Sequence, residues 1–421
     1  MEKQIVQTLQ KELNSFSVKQ IETTLGLLEE GNTIPFVARY RKEMTGSLDE
    51  VEIKTIQDRY QYLLNLNTRK EEVIRLIDEQ DKLTEELEKD ILKASTITQV
   101  DDLYRPYRQK RRTKATIAKE KGLEPLALFL LELPLEGDVL EEAEKYISEE
   151  HDIKTFQEAL EGAHEIMAEV VSDNASFRKY IRSYTFRNGN LKTSVKKKEL
   201  DERGIYEMYY DFSEPVRKLA SHRALAINRA EKEDVIKVDL EIEENAIYAY
   251  LGKNIIGDKF KSIATPYIMQ AFEDAYKRFI KPSVEREIRN EISEKAEEQA
   301  ISVFGENLRN LLLQAPLKDK IVMGFDPAYR TGCKLAVVDG TGKVLDVDVI
   351  FPHPPASKAK QDAALPQFLE LIKKHKVEMV AIGNGTASRE SESFVAEALK
   401  QIDATVYYLI VNEAGASVYS A

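Results

Sequence analysis

The 421-residue chain reads as multi-domain, with a mostly α-helical N-terminal region followed by an α/β domain on a five-stranded mixed sheet. Three observations predict this. Apolar residues recur at helical spacing as far as about residue 320, the pattern of helices with one buried face. From Asp319 onward the spacing becomes two and the segments shorten, as strands require. The segments there follow one another as βββαβαβ, which calls for both antiparallel hairpins and parallel crossovers.

In chain order, Ile5, Leu9 and Leu13 make one helical stripe, and Ile21, Leu25 and Leu28 make a second that Gly31 stops. Segments 48–63 and 68–92 continue the pattern with dense charge between apolar positions. Further helices are expected at 141–147, 153–171 and 174–184, and a short strand at 238–242, where apolar and charged residues alternate. Pro282 suits the first turn of a long helix from 281 to about 313, in which Val284, Ile288, Ile292, Ala296 and Ala300 step by four. Gln314-Ala315-Pro316 breaks it. The expected domains are 1–72, helical and helix-turn-helix-like; 73–318, a central helical region; and 319–421, the α/β domain. Its helices fall at 358–375 and 388–401 and its later strands at 377–382 and 405–411. A further helix should follow the last strand, so the chain is expected to be the N-terminal portion of a longer protein.

Composition narrows the function classes. A net charge of −12 argues against a uniformly basic nucleic-acid binder but permits a local basic face. One cysteine, Cys333, excludes an internal disulfide framework and any CxxC zinc site, and fits a reducing cytoplasm. No 18-residue apolar run is present, so no membrane contact is expected. The five histidines lack metal-ligand spacing, so a metal would have to sit on carboxylates.

Within the α/β domain, Ile321 to Phe325 is an apolar run ending on Asp326-Pro327, and proline cannot extend the ladder. Thr331-Gly332 turns the chain into Cys333 to Val338, and Asp339-Gly340-Thr341-Gly342 is a hairpin signal before Lys343 to Ile350. Three antiparallel strands with an acid closing the first resemble the opening of a ribonuclease H-like domain. In that superfamily the acid is the first ligand of a catalytic metal pair. Two-metal phosphodiester cleavage needs carboxylates converging on cations about 4 Å apart. Here the fourth strand ends on Asn384 and the fifth on Asn412-Glu413-Ala414, where nuclease-type relatives often carry Asp-Glu-Arg. The candidate site is therefore degenerate: Asp326, Asn384 and Glu413. No catalytic residue, metal site or cofactor is assigned, and Asp326 reads more simply as a turn residue bonding the amides around Tyr329 to Gly332.

Several blocks closely resemble the bacterial Tex transcription accessory family. They are Thr33-Ile34-Pro35-Phe36-Val37-Ala38-Arg39-Tyr40-Arg41-Lys42-Glu43; Asp102-Leu103-Tyr104 through Lys110 to Thr116; and Ser221 to Arg229. Gly324-Phe325-Asp326-Pro327, Gly383 to Glu390 and Asn412 to Ser417 resemble the family's YqgF-type domain. The resemblance spans essentially the whole chain. It implies a nucleic-acid-binding scaffold, RNA or DNA, acting beside the transcription machinery. It also implies helix-hairpin-helix and OB-fold RNA-binding modules further along such proteins, beyond Ala421.

Three function classes compete: that accessory scaffold with a non-catalytic ribonuclease H-like domain; a metal-dependent nuclease or Holliday-junction-resolvase-like enzyme; and a nucleotide-binding domain. For the first, the candidate nucleic-acid contacts are Arg105, Arg108, Lys110, Arg111, Arg112 and Lys114. They belong to a stretch, 105–121, whose only acid is Glu120. Arginine forks suit phosphates, and Tyr104 and Tyr107 could stack bases. A solvated loop paired to neighbouring acidic helices is the plainer alternative. Arg39, Arg41 and Lys42 beside Tyr40 read as a packed joint between helices, given Pro35 and Phe36. Ser221-His222 cannot act as nucleophile and base, because helix neighbours point about 100° apart. Glycines 383 and 385 read as a weak phosphate-loop signal or as freedom for a sharp exit from the strand.

Overall fold

The computed structural model describes residues 3–109, 111–313, 317–413 and 415–416. Lys110, the break at Gln314-Ala315-Pro316, Ala414 and Ser417 lie outside the described residues. The chain divides into two compact units, Met1–Ala296 and Glu297–Ala421.

The first unit holds two hydrophobic cores. One runs from Ile5 to Tyr104 and the other from Ala115 to Ile288. Helix starts are capped as the sequence allows. Ser17 and Asp49 each form reciprocal capping boxes, and Thr33, Thr84, Thr96, Thr113 and Thr155 each accept a first-turn amide. The strand expected at 238–242 is β3, Ile236–Glu241, and it does not stand alone. It pairs antiparallel with β1, Asn190–Val195, which pairs in turn with β2, Ser213–Pro215. β1 escapes sequence reading because it follows directly on the Ala175–Asn188 helix and offers only Leu191 and Thr193 as inward residues.

The long helix also begins differently. Lys281–Leu312 continues from Thr265–Ala275 through a π-helical turn, Tyr276–Ile280. Pro282 has no N–H to give the carbonyl four residues back, and the bonding register shifts by one in the turn before it. A missing donor is thus absorbed inside a continuous helix.

A buried ionic network ties the two cores of this unit together. Arg178 is fully buried; its Nε donates to Asp102 Oδ1 at 2.8 Å, and its Nη2 donates to Ser283 Oγ at 2.7 Å and Glu287 Oε1 at 3.0 Å. Arg182 closes the ring, donating to Asp102 Oδ2 at 2.8 Å and Glu287 Oε2 at 2.6 Å. Burial pushes the Glu287 carboxyl up, and Arg182 overcomes this, leaving it below the usual carboxylate range.

The second unit is a five-stranded mixed sheet, as the sequence predicts, in the order β6-β5-β4-β7-β8. β4 is Val322–Asp326, β5 Cys333–Val338, β6 Val344–Ile350, β7 Met379–Gly383 and β8 Tyr407–Val411. β4, β5 and β6 pair antiparallel, and β7 and β8 run parallel beside β4. Asp339 Oδ1 accepts the amides of Thr341 and Lys343, which closes the β5–β6 hairpin. The helices Lys358–His375 and Ser388–Leu399 bury Phe368, Ile372 and Val395 against Phe325, Leu335, Val380 and Ile382.

Removing one partner of the ionic network strands a charge without water. Asp102→Ala should cost the first unit about 3–5 kcal/mol, read from urea denaturation. The contribution of Glu287 is fully present above the ordinary carboxylate pKa and is lost as pH falls through its lowered value. Stability should therefore drop below about pH 4, and Glu287→Gln should flatten that drop.

Candidate functional site

The sheet register sets the carboxylate site. Asp326 is the last residue of β4 and pairs across to Lys334 on β5; Lys334 Nζ lies 3.5 Å from Asp326 Oδ2. The Asp326 side chain is 57% exposed, so solvent screens this pair. No hydrogen bond joins Asp326 to the amides of Tyr329 to Gly332 among the described residues, so the turn role read from sequence gives way to a cross-strand ion pair. The following turn is held from below instead. The buried Cys333 thiol donates to Ala328 O at 3.5 Å and lies 3.9 Å from Ser391 Oγ, which in turn is 2.9 Å from His353 Nε2. Burial pushes the Cys333 thiol up and holds the His353 imidazole down, so both are neutral near pH 7.

Glu413 follows β8 and meets the loop after β7. Its N–H donates to Asn384 Oδ1 at 3.2 Å. A Cβ at Gly383 or Gly385 would come within 2.2 Å of a Glu413 carboxylate oxygen. A side chain at either position would have to displace the Glu413 carboxylate. The left-handed residue of the exit turn is Ala387, at φ +67°. Asp326 and Glu413 line one open cavity of about 780 Å³, floored by Gly324, Ala336 and Ala381. Asp348 of β6 borders the cavity, but it pairs with buried Leu335 and shares a strand face with Asp346, so its side chain lies on the helix side of the sheet, away from Asp326. Asp346 is taken by Lys374 and His375, which with its hydrogen bonds hold its pKa at about 2.

This donor set does not fit a two-metal centre. Asp326 faces a lysine, Asn384 carries no charge, and Glu413 is the other carboxylate at these strand ends. Among the described residues, no three His, Cys, Asp or Glu side chains are grouped to hold a metal ion.

The basic stretch is met by acids from far along the chain. Arg105 stands 3.3 Å from Asp173, and burial with Arg178 alongside lowers its pKa. Arg112 pairs with Glu120 at 2.8 Å, Lys114 with Glu165 at 3.5 Å and Lys119 with Glu169 at 3.1 Å. Arg108 and Arg111 are exposed and face no carboxylate among the described residues. Tyr104 is only 9% exposed, packed in the first core beneath Arg69, so it cannot stack a base. The Ser221–Lys232 helix uses Arg223 to hold Glu214 at 2.9 Å, a structural pairing.

Comparison with known proteins agrees with this architecture. Residues 3–78 match the Tex-like protein N-terminal domain, 136–304 the Tex central region-like family and 320–421 the Tex protein YqgF-like domain. The chain belongs to the Tex family. Its relatives include the Bacillus subtilis protein YdcI, 55% identical over 99% of this chain and 57% of that protein. The Neisseria gonorrhoeae transcriptional accessory protein Tex is 38% identical over 99% of this chain and 54% of its own length. The human S1 RNA-binding domain-containing protein 1 is 32% identical over 94% and 40%. The chain thus spans little more than half of these bacterial Tex relatives. No helix among the described residues is long and apolar enough to cross a membrane.

Cys333 in this Tex-family chain should behave as a buried apolar side chain. A thiol reagent should label native protein slowly and urea-denatured protein fast. Rapid labelling of the folded state would contradict the burial.

Proposed function

We propose that this chain is a nucleic-acid-binding accessory scaffold of transcription whose ribonuclease H-like domain does not cleave phosphodiesters. The observation that carries the second half is the charge balance at the carboxylate site, where Asp326 is answered by Lys334. A phosphoryl-transfer centre short of free carboxylates cannot hold two hydrated cations against water. The names of the Neisseria and human relatives support the first half. Arg108 and Arg111 are the contacts we assign first, because their guanidinium forks are not committed to carboxylates. The reducing cytoplasm is the compartment we assign, on the single unpaired cysteine. A second reading, a metal-dependent nuclease or junction resolvase, draws on Asp326 and Glu413 lining one cavity.

Fluorescence anisotropy with labelled single-stranded RNA and DNA tests the binding. Affinity should be weak, independent of sequence and steeply salt-dependent, with a log–log slope of about −0.7 per phosphate contact. Arg108→Ala with Arg111→Ala should weaken all sequences alike and flatten that slope by about 1.4. Arg112→Ala with Lys114→Ala, which removes cations already paired, should do less. A double Arg108/Arg111 variant that titrates like the parent would refute the assignment. For the chemistry, labelled single strands, duplexes and four-way junctions should survive magnesium or manganese intact. Cleavage that vanished in Asp326→Asn would establish the nuclease reading instead.

A further inference from the structure

The segment Ile34 to Lys42 packs against neighbouring helices as its proline and phenylalanine predict, but only on one side. Only one side of the Ile34–Tyr40 helix is buried, through Val37 and Ala38 in the first core. Thr33 Oγ1 accepts the Phe36 amide and fixes the start of the helix. Its other side faces water. Tyr40 is 67% exposed, with its ring centroid 5.3 Å from that of half-buried Phe36 at an interplanar angle of 43°. The Arg41 guanidinium carbon lies 5.1 Å from the Phe36 ring centroid, and Arg41 Nη1 donates to Tyr40 O at 3.2 Å. Tyr40, Phe36 and Arg41 therefore form one continuous ledge of π faces. Arg39 makes only a loose 3.7 Å contact with Glu50, and among the described residues Arg41 and Lys42 face no carboxylate.

We propose that this ledge is a contact for single-stranded nucleic acid, with Tyr40 stacking an unpaired base and Arg39, Arg41 and Lys42 meeting its phosphates. This rests on the nucleic-acid reading above but places a second contact on a different segment of the first unit. An exposed tyrosine contributes little to folding, so packing does not explain it. Cations at the end of a short helix suit its dipole, yet that effect does not call for an aromatic face beside them. Single strands provide both partners: every unpaired base has a π face, and the phosphates beside it are anionic. A duplex hides its base faces in the stack and fits this ledge less well. The ledge is sequence-tolerant, since stacking and charge read no base edge.

The full chain is titrated with fluorescein-labelled oligo-uridine, oligo-thymidine and a duplex of equal length. Tyr40→Ala should weaken single-strand binding by about tenfold, the scale of one lost base stack, and leave duplex binding nearly unchanged. Tyr40→Trp should restore single-strand binding, and both variants should melt like the parent. Arg39, Arg41 and Lys42 all changed to Ala should flatten the salt slope. If the parent binds, the Arg108/Arg111 variant loses affinity and Tyr40→Ala does not, this contact is refuted while the scaffold reading stands. If the parent binds no single strand, both fail. Equal loss of duplex and single-strand affinity in Tyr40→Ala would also overturn the stacking role.

Discussion

A guanidinium removed from water must be surrounded by carboxylates or it destroys the fold that buries it. Arg178 is such a group, and three parts of the chain far apart in sequence converge on it. Asp102 arrives from the Ile97–Tyr104 helix, Arg178 and Arg182 from Ala175–Asn188, and Ser283 and Glu287 from the start of Lys281–Leu312. Ile97–Tyr104 ends just before Arg105-Pro106. Arg105, next in line, is anchored on Asp173, and the chain leaves this point as the basic stretch.

The second unit shows the same logic on a sheet. Backbone register decides which side chains become neighbours. One register step brings Lys334 opposite Asp326, and the parallel pairing of β7 with β8 brings Glu413 to the glycine loop. Asp326 faces Lys334, and Glu413 is joined to the loop after β7 through its own N–H on Asn384.

The two surfaces assigned to nucleic acid differ in how they are built. Beside Arg108 and Arg111, Tyr104 is packed inside and Tyr107 is half-buried. At Tyr40 there is charge with an exposed aromatic ledge. On the proposed reading the first meets phosphates of any polynucleotide and the second favours unpaired bases. Both lie in the first unit, and neither depends on the carboxylate cavity.

Much of this was legible in the sequence, for a local reason. Cap residues, the Asp339 hairpin and the βββαβαβ order are short-range properties and emerged close to where the pattern put them. The helix at Lys358–His375 is an instance. The break expected between segments 48–63 and 68–92 did not emerge there, since Glu50–Asp78 is one helix and the turn falls before Glu85–Lys93. β1 was not legible, since a short strand with two inward residues is defined by its partners. Nor was the approach of the Glu413 carboxylate, from a later strand, to the loop of Gly383 and Gly385. The basic stretch is the clearest case. From sequence it is a run of charge with one acid; in the structure Asp173, Glu165 and Glu169 come from the Phe156–Asp173 helix to meet Arg105, Lys114 and Lys119. The sequence by itself determined the elements, their order and the family, because these follow from spacing and residue type along the chain. Only the tertiary structure decided which charges remain free and which aromatic faces water, because pairing and burial depend on neighbours brought from far along the chain.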